Sequence, residues 1–547
     1  MGILTVNKSI LFSIFIITLF LNGCNNDEKS ESNLSTTRDW QLPETQLPIG
    51  EKNLYENRQK IDLVQGVEQY RIIRGYASLQ DGFEAEIGFA KDEQEFLKFE
   101  AAIQKLGYSA KKVIPPNNSQ AGKNMGYWVR VDSRFSSANQ ADDIVNLFKK
   151  EGFLQAKTRY TAEDGLNTSG PWVINILAVR LSFTGQLKSA LATDIIPGKE
   201  TTTSLSKRLG AFAAINAGFF VVNETMGTPG DLAGLAVVKG KIVSEGVEGR
   251  PAMFFETKNG NRASHLETNI STLLTITTAQ GQSRRIDGLN RTPGKNFNCG
   301  NPFDIETSFA LHDVVCTDPN EMIIFTEDFG TKTDSGAGVE VLLNEKGIVQ
   351  QINQTRGMNL AQGNITLQAT GASVDWVLKN IQIGQVLKFD SRLINQDTQK
   401  DIPITETTYA VNGGPTLLIN GTFPEGKQII REGWGYESLI GVPSHYNNAN
   451  RSYFINDWYL RRNPHAIVGK TQDGTLLFVT VDGRAPRYSA GLSVPETAQL
   501  MKYLGAVDAM KLDGGGSTMM TINGIPQNLP SDKTGEREDG DAILLFK

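Results

Sequence analysis

The stretch Met510-Lys511-Leu512-Asp513-Gly514-Gly515-Gly516-Ser517-Thr518 runs an apolar segment into one carboxylate, three glycines and two hydroxyls. Consecutive glycines let a ligand approach the backbone and expose its N–H groups. An aspartate at such a turn can serve as acid, base, nucleophile or acceptor for a sugar hydroxyl. The same run also fits a plain flexible turn, so its neighbours decide. Leu476 to Val481 reads as a strand ending in Asp482-Gly483-Arg484. Between the two aspartates, Ser493-Val494-Pro495-Glu496 has capping-box spacing. Ala498, Met501 and Leu504 follow at three-residue intervals, and Gly505 is placed to end a helix. Strand, helix, strand is a βαβ reading. With both strands parallel in one sheet, Asp482 and Asp513 leave the same carboxyl edge, where open α/β sheets bind ligands.

Two earlier runs end alike, in Asn216-Ala217-Gly218-Phe219-Phe220 and in Asn412-Gly413-Gly414-Pro415. Any one of these is a hairpin signal; four of them, with Arg484 and the glycine run attached, point to a shared rim. Taken in order with Arg462-Asn463-Pro464-His465 and Pro530-Ser531-Asp532, they resemble the phosphodiester glycosidase family over roughly Trp172 to Lys547. The resemblance implies hydrolysis of a glycosyl phosphodiester, N-acetylglucosamine leaving a phosphomonoester behind. Relatives commonly carry Arg-Thr after Asn-Pro, where this chain has His465-Ala466. That departure leaves the phosphate contact open, and His465 reads equally as a buried, hydrogen-bonded histidine. The insertion between the early and late motifs is long.

Cleavage at an anomeric carbon passes through an oxocarbenium-like state, and a facing carboxylate acts as nucleophile or activates water. Asp513 is the first candidate for that carboxylate, Asp482 the second, and Glu536 a third that also reads as a surface pair with Arg537. Arginine suits two-pronged phosphate contact, which assigns Arg484 and Arg462 as clamps, with His465 beside them. The N–H groups of Gly514, Gly515, Gly516 and Ser517 are anion donors, and Asn216 and Asn412 would orient sugar hydroxyls. A competing use places a hard cation such as Ca²⁺ among Asp482, Asp513 and Asp532. His265, His312, His445 and His465 are scattered and form no zinc pattern. The expectation is no required metal and no cofactor.

Lys8 precedes a short apolar stretch, Ile10 to Leu21, ending in Leu21-Asn22-Gly23-Cys24. This is an export signal, and Cys24 directly after Gly23 resembles a bacterial lipoprotein site. Residues 1–23 would be the signal, Cys24 the lipidated residue, and 24–67 a polar tether. Asn25 after the cysteine resembles an outer-membrane address, facing the periplasm. In an oxidising compartment Cys299 and Cys316 read as a disulfide, about 3 kcal/mol in the chain-entropy model; two buried thiols are the other reading.

Residues 68–164 alternate strand and helix signals in the order βαββαβ. Tyr127-Trp128-Val129-Arg130-Val131, then Ser136 and a helix, resembles a SPOR domain, which implies peptidoglycan binding, with Tyr127 and Trp128 either stacking on sugars or packing in the core. Residues 171–547 would form the glycosidase domain, a mixed β-sheet core with decorating helices, giving an α+β or mixed α/β class beside the small ferredoxin-like domain. A formal charge of −6 gives no basic footprint, which excludes nucleic acid as a partner. The function expected is a lipid-tethered envelope hydrolase of a sugar-1-phosphodiester. The alternatives are a non-catalytic glycan-binding lipoprotein and an exopolysaccharide assembly factor.

Overall fold

Seven strands, each antiparallel to its neighbours, form the sheet that carries the motifs. Their order is Glu56–Val64, Val67–Arg74, Trp172–Val179, Leu476–Val481, His465–Thr471, Ala506–Lys511 and Thr416–Leu418. The computed structural model describes residues 39–547 apart from 117, 121–122, 259–260, 301–303, 306–310 and 435–451. The leader, Cys24 and His445 lie outside the described residues.

The helix Val494–Tyr503 starts with the full capping box between Ser493 and Glu496. It does not join two paired parallel strands, however. Leu476–Val481 and Ala506–Lys511 are each antiparallel to His465–Thr471, which lies between them. They run the same way without touching, so their carboxyl ends still share one edge. His465 opens the intervening strand at that edge, opposite Val481. The parallel placement in one sheet holds, and the strand inserted between the two is what the sequence did not show, since Leu476–Val481 is buried along its whole length and has no alternation to read.

One face of the sheet packs on the helix Val494–Tyr503, in a core that includes Ile467, Val479, Leu500 and Met501. The other face packs on a second sheet, in the order Gln186–Leu191, Asp541–Phe546, Ala213–Asn216, Met520–Ile522 and Ile525–Pro526. A third sheet, built around Thr408–Asn412 and Ala252–Lys258, shares that core through Phe255 and Val411. The long insertion adds two more sheets over a separate apolar core that includes Met322, Val341 and Leu367. The result is a mixed α/β architecture dominated by antiparallel sheets. Cys299 and Cys316 are joined as a disulfide. Among the described residues no helix is long and apolar enough to cross a membrane.

The βαββαβ order appears as a four-stranded antiparallel sheet, Ala110–Val113, Tyr127–Val131, Phe83–Ala90 and Lys157–Tyr160, backed by the helices Glu93–Lys105 and Ala138–Lys150. One expectation about this region is corrected, and one left open in the sequence is decided. Residues 39–74 are not the end of a tether and the start of the small unit. Glu56–Val64 and Val67–Arg74 extend the large sheet, and Trp40, Leu47, Ile49 and Leu54 are buried in its core. Four apolar residues at irregular spacing in a polar stretch carry no periodic signal, so only packing reveals them. Nor do Tyr127 and Trp128 face solvent. Tyr127 lies under the helices, and Trp128 is buried beneath Arg461, whose guanidinium carbon is 3.8 Å from the ring centroid.

Trp40 also donates its indole N–H to Leu504 O at 2.6 Å inside the core. Trp40→Ala is therefore expected to lower unfolding free energy by about 3–5 kcal/mol. Urea denaturation measures this; an unchanged midpoint would return residues 39–54 to the status of a tether.

Candidate active site

Asp513 is held by its backbone. Its N–H donates to Ala217 O at 2.8 Å, and its carbonyl accepts from Asn216 Nδ2 at 2.9 Å. Asn216 Oδ1 in turn accepts from the Met519 N–H at 3.0 Å. Asn412 does the same for the neighbouring turn, its Oδ1 accepting from the Phe219 N–H at 2.8 Å. Gly218 is required there, since a Cβ would fall 2.3 Å from Asn412 Nδ2. Both asparagines are buried and engaged by backbone. They fasten the motif loops to one another instead of presenting amides to a sugar.

The three glycines have a steric reason. A Cβ at Gly514 would lie 3.1 Å from Lys511 Nζ and 3.4 Å from His465 Nδ1. At Gly515 it would lie 3.1 Å from Arg484 Nη1, and at Gly516 2.2 Å from Arg537 Nη2. Each glycine thus seats the head of a different basic side chain along the turn that follows Asp513. The loop's N–H groups are mostly engaged within the protein: Gly514 donates to Asp513 Oδ1 at 2.8 Å, Gly515 to Pro464 O at 3.0 Å, and Ser517 to Gly514 O at 3.3 Å.

Burial sets the electrostatics. It raises the Asp513 carboxyl above the usual range, against the pull of the Ser517 hydroxyl, Arg537, the Gly514 N–H and Lys511. Two further aspartates, not singled out in the sequence, stand beside it. Asp541 accepts from the Gly218 N–H at 3.0 Å and is pushed up to about 7 by burial. Asp539 is buried and raised well above its ordinary value by burial and by Asp513, with the Ser517 hydroxyl and Arg537 opposing. Three carboxyls this close cannot all ionise cheaply. Lys511 is buried with its Nζ 3.6 Å from the Trp458 ring centroid, and burial drives its ammonium well below the ordinary value. His465 Nε2 lies 2.7 Å from Leu492 O, which can only accept, so Nε2 carries the proton and Nδ1 a lone pair. Burial first, and then Lys511, holds this imidazole neutral. Arg484 is the exposed cation. Its Nε donates to Asn463 Oδ1 at 3.1 Å, and its terminal nitrogens make no other hydrogen bond among the described residues.

Other expected residues are placed elsewhere. Arg462 is buried, with Nη2 2.6 Å from Glu496 and Nη1 donating to Ala162 O and Leu166 O, so it joins chain segments and does not act as a clamp. Glu536 accepts from the Thr203 N–H at 2.8 Å, at the start of the helix Thr202–Leu209. Asp482 leaves the same sheet edge as Asp513 but has separate surroundings. It accepts from the Leu529 N–H at 3.3 Å, and burial raises it to about 7. Asp532 pairs with Arg537 at 2.8 Å. Among the described residues Asp482, Asp513 and Asp532 do not bring oxygens within reach of one ion. The cluster that comes closest, Cys299, Asp304 and Cys316, offers no thiolate because its sulfurs are bonded to each other.

The residues the sequence did not single out are Asp539, Asp541, Lys511, Asn463 and Trp458. Glu538-Asp539-Gly540-Asp541 was visible as an acidic run. Such runs are ordinarily solvated, and burial made this one unusual. Trp458 belongs to an aromatic wall, stacked on Trp434 at 4.6 Å, with Phe219 and His312 against Trp434.

A carboxyl held near 7 in the fold keeps a proton that the unfolded chain, near 3.9, has released. Stability therefore falls as pH rises from about 4 to about 7, by about 1.4 kcal/mol per pH unit for one group, and is level above. Asp541→Asn should flatten that slope in urea unfolding at pH 4.5 and 7.5. An unchanged slope would mean that Asp541 ionises normally.

The phosphodiester glycosidase family model matches residues 337–546. A crystal structure of a Burkholderia pseudomallei K96243 protein, described as exported, is 30% identical with a TM-score of 0.85, covering 93% of this chain and 99% of that one. A hypothetical protein from Synechocystis shares the fold at 15% identity and a TM-score of 0.50, over 90% of this chain and 79% of that one. An uncharacterized SPbeta prophage-derived protein, YomE of Bacillus subtilis (strain 168), is 38% identical over 71 residues, which is 13% of this chain and 11% of that protein's length. The chain belongs to one family with the Burkholderia protein, and over residues 337–546 it carries a phosphodiester-glycosidase-like segment.

Proposed function

We propose that this protein is a cell-envelope hydrolase that cleaves a sugar-1-phosphodiester bond in a glycan or glycopolymer. The observation that carries the reading is the Asp513 turn, where a half-buried carboxyl feels Lys511 and Arg537, and where Lys511, Arg484 and Arg537 are seated on the three glycines that follow it. A phosphoryl leaving group needs cationic contact more than protonation, and Arg484 offers terminal N–H groups in the geometry that suits it. Asp513 faces the anomeric carbon as nucleophile or as base for water. Asp539 and Asp541 tune its charge, and Trp458, stacked on Trp434, holds the Lys511 head beside the turn. The family match over residues 337–546 supports the reaction class.

The address belongs to the same proposal. Cys24 would carry lipid, holding the enzyme in the outer membrane facing the periplasm, and the small unit, from Phe83 to Tyr160, would contact peptidoglycan. The sheet face of that small unit is covered by residues 453–461, so wall contact falls to its helices, Glu93–Lys105 and Ala138–Lys150. A non-catalytic glycan-binding reading is favoured by one observation: a neutral His465 stands where relatives commonly have arginine.

Turnover of an N-acetylglucosamine-1-phosphodiester by the mature chain separates the readings. Asp513→Asn should lower kcat by about a thousandfold or more. Arg484→Ala should raise KM about tenfold, the loss of one charge-assisted contact. Equal rates for wild type and the Asp513 variant would remove Asp513 from the mechanism, and no turnover on a panel of glycosyl phosphodiesters would leave binding alone.

A further inference from the structure

The short segment from Asn456 to Pro464 touches the small unit on one side and the Asp513 turn on the other. On the first side, Arg461 donates to Glu86 at 2.7 Å and covers Trp128. Arg159 binds the Asp457 carboxylate, which also forms an ion pair with Arg461, its Oδ1 lying 3.1 Å from Arg461 Nε. Asn456 Oδ1 accepts from Asn118 at 2.6 Å, and its Nδ2 donates to Met125 O at 3.1 Å. Glu86 is shared with Arg130, which is also doubly bonded to Asp164 at 2.6 and 2.7 Å. All of Glu84, Glu86, Arg130, Asp164, Asn456 and Arg461 are buried. Removing one partner of such a network leaves an uncompensated charge, so the arrangement is stiff.

On the second side the same segment supplies Trp458 to Lys511, the Pro464 carbonyl to Gly515 and the Asn463 side chain to Arg484. Asn463 is buried and bonded in both directions. Its Nδ2 donates to Asp457 O at 2.8 Å and Arg461 O at 3.2 Å, while its Oδ1 accepts from Arg484 Nε at 3.1 Å. Its backbone pairs with Leu492 across Gly491, where a Cβ would lie 2.6 Å from Asn463 O. Arg484 itself sits at φ +53°, a left-handed conformation that a side-chain-bearing residue keeps only when its surroundings hold it.

We propose that Asn463 is the positioning residue for Arg484, and that the small N-terminal unit is a built-in wall of the active site, setting the direction of that guanidinium through the ionic contacts of its Glu86 and Arg159 with Arg461 and Asp457. The unit's sheet face is thereby committed to the enzyme's own chain. This rests on the reading of Arg484 as the oxyanion contact.

Binding of inorganic phosphate to the full mature chain, followed by calorimetry, tests the link without using turnover. Arg484→Ala should weaken phosphate binding about tenfold. Asn463→Ala should weaken it comparably, and the double variant no further, because both changes remove one arrangement. Glu86→Gln, which keeps shape and removes charge, should speed amide exchange in residues 482–491, which Glu86 does not touch, and weaken phosphate binding in the same direction. Additive losses from Asn463→Ala and Arg484→Ala, wild-type affinity in Asn463→Ala, or no phosphate binding by the wild type would overturn the proposal. If the phosphate results hold while every glycosyl phosphodiester is left intact, the positioning role stands and the hydrolase reading falls.

Discussion

The amide of Asn216 is the constraint on which the site depends. It sits at the end of one sheet and bonds both arms of the loop that leaves another, taking the Met519 N–H on its oxygen and giving its N–H to the Asp513 carbonyl. Two sheets packed face to face would otherwise be free to slide by fractions of an ångström at their edges. A buried amide with both ends satisfied removes that freedom, since breaking either bond strands a polar group in the core. Asn412 repeats the device one loop away. The catalytic candidates are therefore carried on turns, yet the turns are stapled to rigid elements.

The fold places many ionisable groups at this edge, and for most of them burial outweighs the counter-charges nearby. Asp482, Asp539, Asp541 and Asp513 are all raised chiefly by burial, while Lys511 and His465 are lowered by it. Both directions mean the same thing: the neutral forms are favoured, and the folded state gives up stability to keep these groups where they are. Such concentrations mark functional edges more often than structural ones. The contrast with the small unit's interface is instructive. There the buried charges are paired in detail, with Arg130 facing Glu84, Glu86 and Asp164. In one region the buried charges are paired, in the other burial outweighs the pairing, and the segment through Asn463 joins them.

That join changes the meaning of the small unit. Its βαββαβ plan was legible, strand by strand, from alternating and helical patterns. Its independence was not. Trp128 and Arg130 alternate with the core residues Tyr127, Val129 and Val131, as they would in any half-exposed strand. Nothing in that alternation says that the polar face is covered by residues some three hundred positions further along the chain.

The local physics of the chain determined its elements: the capped helix after Ser493, the apolar strands ending in Asp482 and Asp513, and the glycine run that lets basic heads crowd a carboxyl. Those features depend on neighbours in sequence, and propensity and spacing report them. Which strands pair, which asparagine amides face backbone, that Arg462 and Glu536 are drawn into structural contacts, and that Asp539 and Asp541 join Asp513 were decided only by tertiary structure. The physical reason is that burial and hydrogen-bond partners are properties of distant segments brought together. A residue type fixes what a side chain can do, and only its surroundings fix which of those things it does.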